Sequence, residues 1–190
     1  MRNNKLKNMI ICSMFAAITA VLAQIEIPLP IVPISGQTLA VGLTATIIGS
    51  RLGTIAMLLY VAMGAIGLPV FAEAKGGVQV LVGPTGGYIF GFIITAFVTG
   101  YILEKTKFIL PWAMVANTVG MVITLTIGTV QLKYVLDMTW TAAFVSGVAP
   151  FIVVGLIKAF LASWIGITVR ARLQSANLLP SLKQSNQHTA

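Results

Sequence analysis

The stretch Tyr88-Ile89-Phe90-Gly91-Phe92-Ile93-Ile94-Thr95-Ala96-Phe97-Val98-Thr99-Gly100-Tyr101-Ile102-Leu103 carries no charge. It ends abruptly at Glu104-Lys105-Thr106-Lys107. An apolar run of this length closed by cations reads as a membrane-crossing helix. The pattern recurs along the chain. Further apolar runs extend from about Met9 to Ile25, Thr38 to Ile48, Thr54 to Ile66, Leu110 to Gly128 and Thr141 to Val169. That makes six, and the chain reads as an all-α integral membrane protein. Composition agrees. Apolar residues make up 57% of the 190 residues and charged residues only 8%, against about 25% in a soluble domain. So few charges cannot cover a water-facing surface, and lipid has to be the solvent for the rest.

The connections have distinct characters. Pro28, Pro30 and Pro33 follow the first run. Gly49-Ser50-Arg51-Leu52-Gly53 separates the second and third, and is a poor centre for one long helix in lipid. The Gly-rich stretch from Gly67 to Gly87 holds Phe71, Val78, Val80, Leu81 and Val82, which can pack, so it is expected to be ordered. The sixth run is longer than one crossing needs; Pro150 either kinks it or marks its start. Residues 1–174 are read as one membrane domain. Residues 175–190 are read as a flexible polar tail whose His188 carries no signal.

Net charge is +8, but the cations punctuate apolar runs instead of forming one basic face, which excludes nucleic acid as a partner. Arg2, Lys5, Lys7, Arg51, Lys105, Lys107, Arg170, Arg172 and Lys183 fall in one set of alternate connections. Only Lys75 and Lys133 fall in the other. The positive-inside rule then puts both termini in the cytoplasm, as an even number of crossings requires. The proline-rich, Gly-rich and Gln131–Trp140 connections fall outside. A retained first helix fits this count better than a cleaved signal segment.

Lys158 is the strongest single signal, because it sits inside the sixth run. A lysine in hydrocarbon costs about 2.5–3.5 kcal/mol on insertion scales. It either faces a polar cavity and donates to a ligand, or snorkels towards the outer interface. The turn Gly83-Pro84-Thr85-Gly86-Gly87-Tyr88 either hydrogen-bonds a ligand or is a tight entry into the membrane. Gln37 either lines a cavity or stands at a helix start capped by Ser35. Ala16 and Ala20, four apart, form a small-residue face suited to close helix contact. Cys12 reads as a small apolar residue. The sequence has no phosphate loop, no metal-ligand spacing and no nucleophile–base set, so neither an enzyme nor a cofactor or metal is expected.

Gly64-Ala65-Ile66-Gly67-Leu68-Pro69-Val70-Phe71-Ala72, then Gly76-Gly77, then Gly83-Pro84-Thr85-Gly86-Gly87-Tyr88-Ile89-Phe90-Gly91-Phe92 resemble the BioY family. So do Gly36-Gln37-Thr38, Arg51-Leu52-Gly53, Leu59-Tyr60 and Leu156-Ile157-Lys158-Ala159. BioY proteins are biotin-specific substrate-binding (S) components of energy-coupling factor (ECF) transporters. The resemblance implies biotin capture from outside, in the bacterial plasma membrane, with Lys158, Tyr88, Gln79, Gln37, Thr85 and Phe71 as substrate-binding residues. It also implies a transmembrane coupling subunit and two cytoplasmic ATPases as partners, with Ala16 and Ala20 at the interface. The family carries an Asp three residues before the Lys; here that residue is Gly155. The acceptor for ureido N–H groups is then expected at Gln79, Gln37 or a backbone carbonyl. Gly155 also leaves open an S component or carrier for another small vitamin-like molecule. The lack of catalytic groups leaves open a ligand-free assembly subunit.

Overall fold

A computed structural model describes residues 2–176, 178 and 179. Ten elements follow in chain order: α1 (Arg2–Ala23), the two-residue strands β1 (Glu26–Ile27) and β2 (Ile34–Ser35), α2 (Gln37–Ala65), and a 3-10 turn (Ala72–Ala74). Then come α3 (Val78–Val82), α4 (Gly86–Lys105), α5 (Leu110–Val135), α6 (Trp140–Gly147) and α7 (Ala149–Ser175). The antiparallel pair β1–β2 zips the ends of the proline-rich connection together. The bundle is built on α4, which packs on α2 and α5. α7 closes the other side against α2 and α5, and α1 lies outside against α2.

Among the described residues, five stretches are long and apolar enough to cross a membrane: Asn4–Ala23, Gln37–Ala65, Gly86–Lys105, Leu110–Val135 and Trp140–Ser175. The second and third expected runs have fused into α2, but α2 is not straight. Gly49 leaves helical geometry, with φ 81° and ψ −173°. Gln37 and Tyr60 are 23 residues apart, which a straight helix would turn into about 34 Å. Instead the Gln37 amide reaches the Tyr60 hydroxyl at 2.6 Å. α2 is therefore a hairpin of two limbs, 37–48 and 50–65, folded at one residue. The expected five-residue turn is a correction: Ser50 to Gly53 are already helical.

A one-residue break strands backbone groups on both limbs. Glu104 takes the donor side: its carboxylate accepts from Ser50 N–H and from Ser50 Oγ, each at 2.7 Å. Arg170 takes the acceptor side by donating to Ile47 O, while its guanidinium lies 3.6 Å over the Phe108 ring. A carboxylate at a limb's N-terminus and a cation at the other's C-terminus also match the helix dipoles. Arg170 therefore does not end the last helix as a solvated cation. It is buried, and α7 continues to Ser175.

The sixth run is also divided. It breaks at Val148 into short α6 and long α7, with Pro150 in the first turn of α7, where its missing N–H costs nothing. The long Gly-rich connection is ordered, as expected, through the 3-10 turn and α3. Beyond Ser175, Leu179 turns back, bonds to Leu173 O and is buried in the core. The rest of the expected tail, His188 and Lys183 included, lies outside the described residues.

Gly49→Ala tests the hairpin. The conformation at residue 49 is open essentially to glycine alone, and forcing another residue into it costs about 1–3 kcal/mol. A Cβ there also collides with the Glu104 carboxylate. The detergent-solubilised variant should melt lower by about 2–4 °C per kcal/mol lost. Glu104→Ala, which strands Ser50 N–H, should lower it similarly. An unchanged melting temperature in both would contradict this account of the turn.

Candidate functional site

Three helices each turn one stripe towards a common space. Along α4 it is Tyr88, Ile89, Phe92 and Thr95; along α5, Asn117, Met121 and Thr124; along α7, Phe151, Gly155, Lys158 and Ala162. These spacings of three and four are one face of a helix. The first limb of α2 adds Gln37, Thr38, Val41 and Gly42. Together they enclose a cavity of about 350 Å³, within the roughly 300–1,000 Å³ usual for small-molecule sites. Residues of the proline-rich and Gly-rich connections form its outer end.

The six residues expected to bind substrate all line this one cavity. Lys158 does so without lying in lipid. Its ammonium donates to Ser35 O at 2.7 Å and to Thr38 Oγ1 at 3.3 Å. An ammonium has three N–H groups, so one stays open to the cavity. Gln37 is buried in a relay: Ser35 Oγ donates to Gln37 Oε1, Gln37 Nε2 to Tyr60 Oη, and Tyr60 Oη to Val70 O at 2.9 Å. Phe71 is 1% exposed and stands edge-on to Tyr60, centroids 5.5 Å apart, with its ring seated on Gly64. Tyr88 lies beside Phe151 and donates to Gly147 O at 2.9 Å. Thr85 is half-buried, and its carbonyl accepts from the N–H groups of Tyr88 and Ile89. Gln79 is exposed at the mouth and donates to Gly76 O.

The glycine turn before α4 serves packing. Gln131 clamps it by donating to Leu81 O and Gly83 O, at 2.8 and 2.9 Å. At Gly86 a Cβ would run into Leu81 O and Gln131, so only glycine lets α4 start this close to α5. Gly83, Pro84 and Thr85 still line the cavity.

The mouth is held by Gln24 and Glu26, just after α1. Phe71 O accepts from Gln24 Nε2 at 3.1 Å, Ala74 N–H donates to Gln24 Oε1, and Glu73 N–H donates to Glu26. These bonds fix Glu73 and Ala74 at φ 59° and 52°, in the left-handed region. Lys75 pairs with Glu73 at the rim.

Reading the sequence missed several lining residues: Ser35, Thr38, Asn117 and Met121. Asn117 had a signal, since it is the single Asn between residues 9 and 176. It is buried, and the two N–H groups of its Nδ2 face three acceptors, Ala113 O, Ser163 Oγ and Thr46 Oγ1. Met121 had none. Its sulfur fills the space where a Cβ at Gly155 would go. A side chain at 155 therefore has to displace Met121.

The expected partner face needs a correction. Ala16 is 0% exposed because α1 packs its Cys12, Ala16, Thr19 and Ala23 stripe on the chain's own core. Ala20 is half-buried. The exposed small pair on α1 is Ser13 and Ala17, flanked by the exposed Met14, Ile18 and Val21.

A profile described as the BioY family matches residues 1–175. The chain is 39% identical over 177 residues to the Biotin transporter BioY2 of Lactococcus lactis subsp. cremoris, covering 93% of this chain and 97% of that one. It is 42% identical over 166 residues to the Biotin transporter BioY of Thermotoga maritima, covering 87% and 96%. A crystal structure of the S-component for biotin from an ECF-type ABC transporter superposes with a TM-score of 0.81 at 25% identity, over 90% of this chain and 94% of that one. With the family profile spanning all but the last residues and near full-length relatives above 30% identity, this chain is a member of the BioY family.

Proposed function

We propose that this chain takes up biotin, as the substrate-capturing S component of an ECF-type transporter in the cell membrane. The observation that carries it is Lys158. A lysine on a lipid-crossing helix is costly, and here it faces an enclosed cavity with one N–H unspent. Biotin has a carboxylate and a ureido oxygen to accept that N–H. Its thioether ring and aliphatic chain suit walls such as Val41, Phe92 and Phe151. An apolar space with few fixed polar groups is the usual form of such a site. The names of the relatives point the same way.

Six crossings and two cytoplasmic termini belong to this proposal. The two limbs of α2 cover about 18 and 24 Å at 1.5 Å per residue, and they run in opposite directions. Counting them separately adds one crossing to five and makes the total even. The Lys and Arg asymmetry then sets the direction, with the cavity mouth and Lys75 outside. A coupling subunit and two ATPases complete the reading, since the sequence holds no phosphate loop with which to drive uptake. The proposed contact for the coupling subunit is the outer face of α1, through Ser13, Met14, Ala17 and Val21 with Ala20 at its edge.

A second reading has one specific support. At Gly155 the chain lacks the family's carboxylate, and Met121 occupies the room. That favours capture of another small molecule with fewer donors. The ligand-free assembly subunit has less in its favour, because it leaves the cavity and Lys158 unexplained.

Protein purified from biotin-fed cells should retain biotin by mass spectrometry. Lys158→Ala should weaken biotin binding about tenfold or more, the scale of losing a charge-assisted hydrogen bond. Unchanged affinity would remove Lys158 from the site. Retention of a different vitamin, with no biotin binding, would select the second reading.

Orientation is tested separately. In a Cys12→Ser background, Lys75→Cys should react with a membrane-impermeant thiol reagent applied to intact cells. Lys107→Cys should react only after permeabilisation. The opposite pattern would invert the proposed topology.

A further inference from the structure

We infer that Asn117 is a specificity-determining residue of the cavity: its side-chain oxygen accepts an N–H from the ligand at the inner end. The inference rests on the biotin reading for the ligand, and on geometry for the site.

The amide orientation follows from its partners. Ala113 O can only accept, and Ser163 Oγ spends its proton on Ala159 O at 2.6 Å. Both therefore need a donor from Asn117, so the nitrogen must point at them. Nδ2 is then fully engaged, with Thr46 Oγ1 as its third neighbour at 3.0 Å. Among the described residues, no N–H or O–H donates to Oδ1. That oxygen lies over Gly42, where a Cβ would stand 2.5 Å away. Both Asn117 and Gly42 line the cavity. The absent side chain at 42 is what leaves the carbonyl open to the space between α2, α5 and α7.

The other polar groups on offer are already committed or in the wrong place. Gln37 Oε1 is taken by Ser35 Oγ. Thr95 Oγ1 is tied to Gly120 O and Thr124 Oγ1, each at 2.8 Å. Gln79 is exposed at the mouth. Asn117 bonds to Ser163, which stands five residues, or about 7.5 Å of helix rise, inward of Lys158 on α7. The cavity therefore presents a donor part-way in and an acceptor at depth. A ligand whose leading end is rich in N–H groups and whose other parts carry acceptors fits that order. A cyclic urea entering first supplies the N–H groups. A ligand without an N–H there leaves a buried acceptor unpaired, which is where discrimination arises.

The test is a cycle over protein and ligand. Wild type and Asn117→Leu are titrated with biotin and with the two singly N-methylated ureido biotins. Wild type should bind biotin about tenfold or more tighter than at least one methylated form. Asn117→Leu should lose about that factor for biotin and little for that methylated form, so that the preference collapses. Thr46→Val, which removes a partner of Nδ2 and keeps Oδ1, should retain the preference. If Asn117→Leu does not reach the membrane folded, Asn117→Ser withdraws the acceptor with less bulk and carries the same comparison. Equal losses for all three ligands in the Asn117 variant, or loss of preference in Thr46→Val, would make Asn117 a packing residue and overturn the inference. So would undiminished biotin binding in the Asn117 variant. Wild type that binds no biotin at all is a different failure. It overturns the biotin reading, and this assignment with it.

Discussion

The Glu104 carboxylate on Ser50 is the interaction on which the rest of the bundle hangs. A backbone N–H or C=O buried without a partner costs about 1–3 kcal/mol, so a helix inside a packed bundle seldom breaks. α2 breaks that rule at Gly49 and folds back on itself. The break is tolerable because α4 sends Glu104 to the stranded amide and α7 sends Arg170 to a stranded carbonyl. Both rescuers come from far along the chain, so the hairpin is closed by tertiary structure and not by a local turn. Its consequence is felt at the other end of the limbs. Folding at residue 49 brings Gln37 beside Tyr60, and Tyr60 then holds Val70 above the cavity. The same end of α2 offers Ser35 O and Thr38 to Lys158. The latch at Gly49 thus shapes the site at the far ends of the two limbs.

Much of the fold was legible because lipid imposes a simple rule on sequence. Apolar runs and their basic boundaries located every long helix. The departures share one cause: a residue's type was visible, but its partner was not. Gly49-Ser50-Arg51-Leu52-Gly53 reads as a turn since glycine and a cation do not belong mid-helix. Only Gly49 leaves the helix, because Glu104 supplies what a longer turn would have supplied. Arg170 reads as a boundary cation since it follows an apolar run. It is buried because Ile47 O and the Phe108 face receive it. Ala16 and Ala20 read as a docking face since small residues recur every four. Spacing gives a face without saying which way it turns, and Ala16 turns inward with Cys12 and Thr19.

The cavity shows the same division. Lys158 was legible from energetic cost alone, and the same reasoning extends to Asn117, a lone amide inside the fifth apolar run. Met121 was not legible, since a methionine in an apolar helix carries no signal until the space over Gly155 is known. Nor was the relay from Ser35 through Gln37 and Tyr60, which joins residues that a straight helix would hold far apart. What the polar residues among them share is that most of their hydrogen-bonding capacity is spent on the protein. A cavity lined by satisfied polar groups behaves towards a ligand as an apolar one, and burial of apolar surface gives affinity without much selectivity. Selection then falls to the few groups left unspent, the third N–H of Lys158 and the open carbonyl of Asn117. Because those two are held by bonds to Ser35, Thr38, Ala113 and Ser163, they meet the ligand already oriented, and little ordering cost is left to binding.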